Sequence, residues 1–164
     1  MNGNIEKVTL KLDELGVSYE LMRHPAVYTM EEMDALGIFT KGVVPKNLFL
    51  RDAKGHRHFL VTMIGERKAD MVSLQEKIGC TRLSFASPER LNKYFGVEHG
   101  MVSPLGVIND SDAEVEVFFD SGLRGLPCVG VHPNDNTATV WLSFDDLLKV
   151  VRANGNEVHF LDLG

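Results

Sequence analysis

In the segment Val43-Val44-Pro45-Lys46-Asn47-Leu48-Phe49-Leu50, one lysine stands where a loop feeds an almost wholly apolar strand. An ammonium in that position lies at the edge of the core, where it can offer positive charge to a phosphate or to a polarised oxygen. A second segment, Gly100-Met101-Val102-Ser103-Pro104-Leu105-Gly106, is punctuated by glycine and proline. Such a backbone is held in shape and can turn its amide groups towards a ligand. Ordinary turn chemistry accounts for either segment taken alone.

The remaining chemical candidates deflate more readily. His56 and His58 fall at alternating positions and, with His132, could be imagined as zinc ligands, but no thiol or carboxylate completes the set. Their basic neighbours predict an exposed cationic hairpin instead. Cys128 follows Pro127 in an apolar context with no base beside it in sequence, which reads as core. Asp145 and Asp146 resemble a carboxylate pair, yet their place behind Ser143 is that of a helix first turn. None of the sequences G-x-S-x-G, H-E-x-x-H, G-x-x-x-x-G-K-[ST] or G-x-G-x-x-G occurs. We therefore expect no metal and no cofactor.

Composition bounds what these residues can serve. With 164 residues and 44% hydrophobic content, the chain suits one domain spanning residues 1–164, with a core that needs neither disulfide nor metal. Cys80 and Cys128 are too far apart for a Cys-x-x-Cys pair and predict two buried structural thiols. No apolar run approaches the ~18 residues of a membrane span, and the first residues lack a secretory pattern, so a cytoplasmic protein without membrane attachment is expected. A formal charge of −6 argues against a protein that coats itself with nucleic acid, and DNA is not an expected partner. Yet Lys41, Lys46, Arg51, Lys54, Arg57, Arg67 and Lys68 face only Asp52 and Glu66 between residues 41 and 68, a local balance of +5 against −11 elsewhere. That asymmetry suits a local phosphate-binding face and also an ordinary solvated hairpin.

The elements that must position these groups follow from periodicity and punctuation. Ile5, Val8, Leu12 and Leu15 recur at helical spacing before Gly16, and Val17 to Met22 reads as a strand. Thr29 and Glu32 form a capping-box pattern ahead of a short helix ending near Gly37, and Gly42 to Pro45 reads as a loop. Asn47 to Asp52 and His56 to Ile64 predict a hairpin around Ala53-Lys54-Gly55. Met71, Leu74 and Ile78 mark a helix stopped at Gly79, and Ser87-Pro88-Glu89 opens another that stops before Gly96. Beyond the Gly100 loop, Leu105 to Asn109, Val115 to Asp120, Cys128 to Val131 and Thr137 to Leu142 read as strands, and Ser143 caps a helix through Val151. The pattern predicts a mixed, largely antiparallel sheet with helices interspersed, an α+β or α/β fold without Rossmann regularity.

Four segments taken in order carry a resemblance: Lys46-Asn47-Leu48-Phe49-Leu50, the Gly100-x-x-x-Pro104 loop, Gly106-Val107-Ile108-Asn109-Asp110, and His132-Pro133-x-x-Asn136-x-x-Thr139. From about Leu15 to Leu148 the chain resembles the YbaK/ProX-like aminoacyl-tRNA deacylases, a family that includes the editing domain inserted in bacterial prolyl-tRNA synthetases. The Gly-Val-Ile-Asn-Asp and His-Pro elements make it look closest to the free-standing ProX branch. One departure is that Asn134 and Asp135 follow Pro133 where relatives often carry an apolar residue.

The resemblance implies a sheet curled towards a barrel and a trans-editing hydrolase that removes alanine wrongly attached to proline tRNA. It implies Lys46 as principal functional lysine, with Gly100 and Ser103 as catalytic positions of the loop. Met101, Val102, Pro104, His132 and Asn136 are the implied substrate-binding positions. Lys41, Arg51, Lys54 and Arg57 then become candidate tRNA contacts, and transient association with prolyl-tRNA synthetase a candidate partnership. A deacylase for another small amino acid, such as cysteine or serine, and a non-catalytic tRNA- or synthetase-binding module remain the competing readings.

Overall fold

A computed structural model describes residues 3–26, 29–37, 42–65, 70–98 and 100–163. Helix α1 (Asn4–Glu14) buries Ile5, Val8 and Leu12, the predicted apolar stripe. The following strand β1 (Glu20–Arg23) begins later than its apolar run, because the Val17 amide closes the helix end on the Leu12 carbonyl at 3.0 Å. In α2 (Met30–Ala35) the capping pair forms: the Glu32 amide donates to Thr29 Oγ1 at 3.1 Å.

The hairpin of β2 (Lys46–Arg51) and β3 (His58–Met63) pairs from Lys46 with Met63 to Arg51 with His58. Its turn is tied by the Asp52 carboxylate, which accepts from the amides of His56 and Arg57 at 2.9 and 3.2 Å. Burial raises the pKa of that carboxyl, but the amides of Arg57, His56 and Gly55 outweigh it and hold the group below its ordinary value. Helices α3 (Met71–Ile78) and α4 (Pro88–Phe95) start on Asp70 and Ser87 caps and end on glycines 79 and 96 in the left-handed conformation. Between them lies β4 (Ser84–Phe85), two residues too few to carry a strand pattern in the sequence.

The apolar run after Pro104 is a 3-10 segment (Pro104–Asn109), not the strand expected for Leu105 to Asn109. Ser103 caps it, Pro104 opens it, and its first four residues are all buried, so no alternating face was there to be read. Asp110, at its end, accepts from the amides of Glu114 and Val115 and from Asn156 Nδ2 at 2.8 to 3.2 Å, anchoring this turn to the C-terminal segment. The chain continues through β5 (Glu116–Asp120), β6 (Val129–Val131), β7 (Ala138–Leu142), α5 (Phe144–Asn154) and β8 (Val158–Leu161), the last also unforeseen.

The strands form two sheets instead of one closed barrel: β1-β7-β6, all antiparallel, and β4-β2-β3-β5-β8, in which β3-β5 and β5-β8 are parallel. Among the described residues, an isolated bridge from Val43 to Val129 joins them. The mixed architecture is the predicted one, with the barrel left open. The main core runs between the sheets and α1, α4 and α5, where Phe119 meets Phe144 edge-on at 4.9 Å. Burying a side chain such as Leu91 or Phe95 there contributes about 1.5–3 kcal/mol. Both cysteines are free and only partly buried, which corrects the expectation of two buried thiols. Among the described residues, no helix is long and apolar enough to cross a membrane.

Candidate functional site

Past the Val43–Val129 bridge, β2 and β6 diverge, and a cleft of about 530 Å³ lies between them. That volume falls in the range of ~300–1,000 Å³ typical of small-molecule sites. One wall is the chain from Val44 to Phe49, carrying Lys46. The facing wall is Gly130, Val131, His132 and Thr139. Gly100 and Val102 close a third side, and Thr29, Phe85 and Ala86 also line it.

Each wall is positioned by local chemistry. Lys46 opens β2 directly after buried Pro45, and Phe49 is wedged against Phe95, His58 and Tyr94 with centroid separations of 5.0, 6.0 and 6.2 Å. Asn47 Oδ1 accepts from Thr62 Oγ1 at 2.8 Å, which orients its carboxamide. Gly100 adopts φ +90°, a conformation that a side chain would strain, and the Met101 amide donates to the Glu98 carbonyl at 3.1 Å.

The histidines have defined tautomers when neutral. His132 Nδ1 lies 3.0 Å from the Ala138 carbonyl, an acceptor only, so Nδ1 carries the hydrogen and Nε2 keeps its lone pair. Burial, chiefly, lowers the pKa of His132, and the charge of His24 adds to that effect. The same logic fixes His24, whose Nδ1 faces the Pro25 carbonyl and whose Nε2 accepts from Thr139 Oγ1, each at 2.8 Å. The two rings stand 6.4 Å apart.

The structure thus gathers Lys46, Gly100, Val102 and His132 around one cleft. Ser103 is elsewhere: fully buried, its hydroxyl accepts from the Leu105 amide at 3.1 Å. Pro104 is buried in the 3-10 segment, and Met101 packs against the core. Asn136 is 2% exposed in the turn between β6 and β7. That turn also holds the Asn134-Asp135 departure. Asn134 accepts from Asn4 through its carbonyl at 2.8 Å, and Asp135 accepts from the Thr137 amide at 2.8 Å. These bonds tie the turn to α1 and to Thr137.

Of the basic candidates, Lys41, Arg67 and Lys68 lie outside the described residues. Arg51 donates to the carbonyls of Asp52 and Ala53 at 3.2 and 3.3 Å, and Lys54 is exposed on the turn. Arg57 makes a two-pronged bond to Glu116 at 2.8 and 2.9 Å. His58 corrects the exposed-hairpin expectation, since it is 2% exposed. Arg51 is five steps along the strand from Lys46, so the hairpin tip is about 17 Å from the cleft lysine. Among the described residues, Glu116, Glu157 and His159 are the one group of ionisable side chains close enough to share an ion, and Arg57 already engages Glu116.

Sequence reasoning gave no role to Asn47 or Thr139, although both stood in quoted motifs, read Thr29 only as a helix cap, and did not single out His24, Phe85 or Gly130. The available signal was strand alternation. One step beyond the Val131–Val140 pair sets His132 opposite Thr139.

Comparison with known proteins gives consistent matches. Residues 24–150 match the aminoacyl-tRNA editing domain model. The chain is 54% identical over 158 residues to the prolyl-tRNA editing protein ProX of Acetoanaerobium sticklandii, covering 96% of each chain. It is 34% identical to the prolyl-tRNA synthetase associated domain-containing protein 1 of Mus musculus, covering 90% of this chain and 89% of that one. In the proline–tRNA ligase of Limosilactobacillus fermentum, 28% identical, the match takes up 24% of the longer chain. A solved candidate trans-editing enzyme for prolyl-tRNA synthetase shares the fold with a TM-score of 0.73 at 23% identity, covering 100% of this chain and 99% of that one.

Proposed function

The chain belongs to the aminoacyl-tRNA editing domain family, and on that premise we propose that it hydrolyses the ester of alanine wrongly attached to proline tRNA, acting in trans. The observation that carries this reading is the convergence of Lys46, Gly100, Val102 and His132 on one cleft.

An aminoacyl ester is reactive enough that no covalent nucleophile is required; positioning a water and stabilising the developing oxyanion suffice. In this reading Lys46 acts as a cation towards substrate oxygen or phosphate, and the loop amides near Gly100 offer hydrogen bonds to the ester carbonyl. His132, with its Nε2 lone pair, accepts a hydrogen from the substrate or the water. The family resemblance adds the terminal ribose hydroxyl as an assistant. In this reading Val102, which lines the cleft, sets the size limit that favours alanine over a larger ring. The same reading places the protein in the cytoplasm, with tRNA as substrate and prolyl-tRNA synthetase as a transient neighbour.

Single-turnover hydrolysis across a panel of mischarged tRNAs tests the proposal. Fast release of alanine from proline tRNA supports it. Preference for cysteine or serine would replace the substrate, and binding without turnover would replace the activity.

A further inference from the structure

Phe85 is 62% exposed and yet lines the cleft. Every other phenylalanine among the described residues lies within 6.1 Å of another ring, whereas Phe85 contacts none of the described rings. Single exposed apolar residues are common, so position decides what this one means. Leu10, Leu36 and Val72 are exposed as well, and none of them lines the cleft.

The backbone that presents the ring is held on both sides. Phe85 pairs with Leu50 in β4, the Ala86 amide donates to the Phe49 carbonyl at 3.0 Å, and Ser87 caps α4 immediately afterwards. An exposed aromatic side chain thus lines, from a backbone held on both sides, a cleft that Lys46, Asn47, His132 and Thr139 also line. A substrate that brings an aminoacyl ester into this cleft carries a nucleobase on the same ribose. Such a base presents a flat π-face, and stacking on an aromatic ring is its most sequence-tolerant mode of recognition.

We propose that Phe85 is the stacking platform for the base of the 3′-terminal nucleoside of the substrate, a role that rests on the deacylase reading. The ring touches the base and not the reacting ester, so its contribution is to binding and falls chiefly on KM.

The test compares Phe85→Ala, Phe85→Leu and Phe85→Trp on alanyl-tRNA, on the alanyl ester of adenosine, and on the alanyl ester of 1-O-methylribose, which lacks a base. Phe85→Ala and Phe85→Leu should lower kcat/KM for the two base-containing substrates by about 5- to 150-fold. Phe85→Trp should preserve it, and the baseless ester should be cleaved equally by all four proteins. Since the ring is exposed, thermal stability should not change. An unchanged rate with Phe85→Ala, full activity with Phe85→Leu, or an equal fall on the baseless ester would overturn the proposal; the last two would indicate an apolar or structural role instead. If the unaltered protein cleaves none of the three, the deacylase reading fails on its own. Quenching by adenosine of the indole introduced by Phe85→Trp then still decides stacking, and no quenching rejects it.

Discussion

Arg90 donates a hydrogen bond to His58 Nε2 at 2.9 Å, joining α4 to the first residue of β3. Burial, chiefly, and then the charges of Arg90, Lys93 and Arg51 lower the pKa of His58, with Asp52 opposing them. Its unfolded value, near 6.5, is therefore the higher one. The unfolded chain binds more protons in the window just below that value, so stability is fully present above about pH 6.5 and falls as the pH drops towards the folded pKa. Urea unfolding between pH 7.5 and 5 should show this loss, and His58→Gln should flatten it. His132, displaced in the same direction, will keep part of the slope. Identical slopes in the two proteins would show that His58 contributes nothing.

Lys46→Ala should slow deacylation by about 100-fold or more, the scale of removing one group that stabilises developing charge. Its thermal midpoint should stay close to that of the unaltered protein, because Lys46 lines a cleft instead of filling the core. Single-turnover kinetics with a parallel melting curve check both halves, and an unchanged rate would remove Lys46 from the mechanism.

Binding of tRNA should weaken as salt rises, and Arg51→Glu and Lys54→Glu should each reduce the logarithmic salt slope by about one for every phosphate no longer neutralised. Arg57→Glu should behave differently, since it breaks the forked bond to half-buried Glu116 and lowers the melting temperature as well. If affinity ignores both salt and these substitutions, the tRNA lies on another face.

Alanine should leave proline tRNA about 100-fold faster than proline does. A synthetase gains only about 1–3 kcal/mol by rejecting a smaller side chain, whereas a second site that admits only small groups corrects the error by exclusion. Equal single-turnover rates for the two esters would refute the size sieve while leaving deacylation intact.

Gly106→Ala should destabilise the fold by about 1–3 kcal/mol through overpacking. A Cβ at this position would lie 2.5 Å from Phe95 Cδ2, against a ring that is fully buried. Chemical denaturation measures the loss, and a neutral substitution would mean that the 3-10 segment shifts freely against α4.

This glycine also shows what could be read from the chain and what could not. The hairpin, the capped helices and the β6–β7 strands carried local signatures, namely alternation, caps and stop glycines. The run from Leu105 to Asn109 misled because a wholly buried 3-10 segment and a buried strand look alike over so few residues. Motif order singled out Lys46, Gly100, Val102 and His132, yet their meeting at one cleft depends on how two sheets lie about the Val43–Val129 bridge. No local pattern encodes that meeting. Ser103 and Asn136 belong to the same motifs, but their positions are buried, one beneath the loop and the other in a turn. The part of Phe85 depends on exposure, which a two-residue strand does not announce.

The pairing of β1 with β7 sets Glu20 opposite Trp141 and Arg23 opposite Ala138. An early segment of the chain thus waits for a late one, and closing so long a loop is the kind of event that slows folding. During synthesis Lys46 leaves the ribosome well before the strand that completes the opposite wall. A nascent chain can hold its β2–β3 hairpin while β1 has no neighbour and the cleft has one side. Activity should therefore arrive only after β7 and the core-forming α5 have both emerged, and fragments ending before Leu142 should be inert however many of the cleft residues they contain.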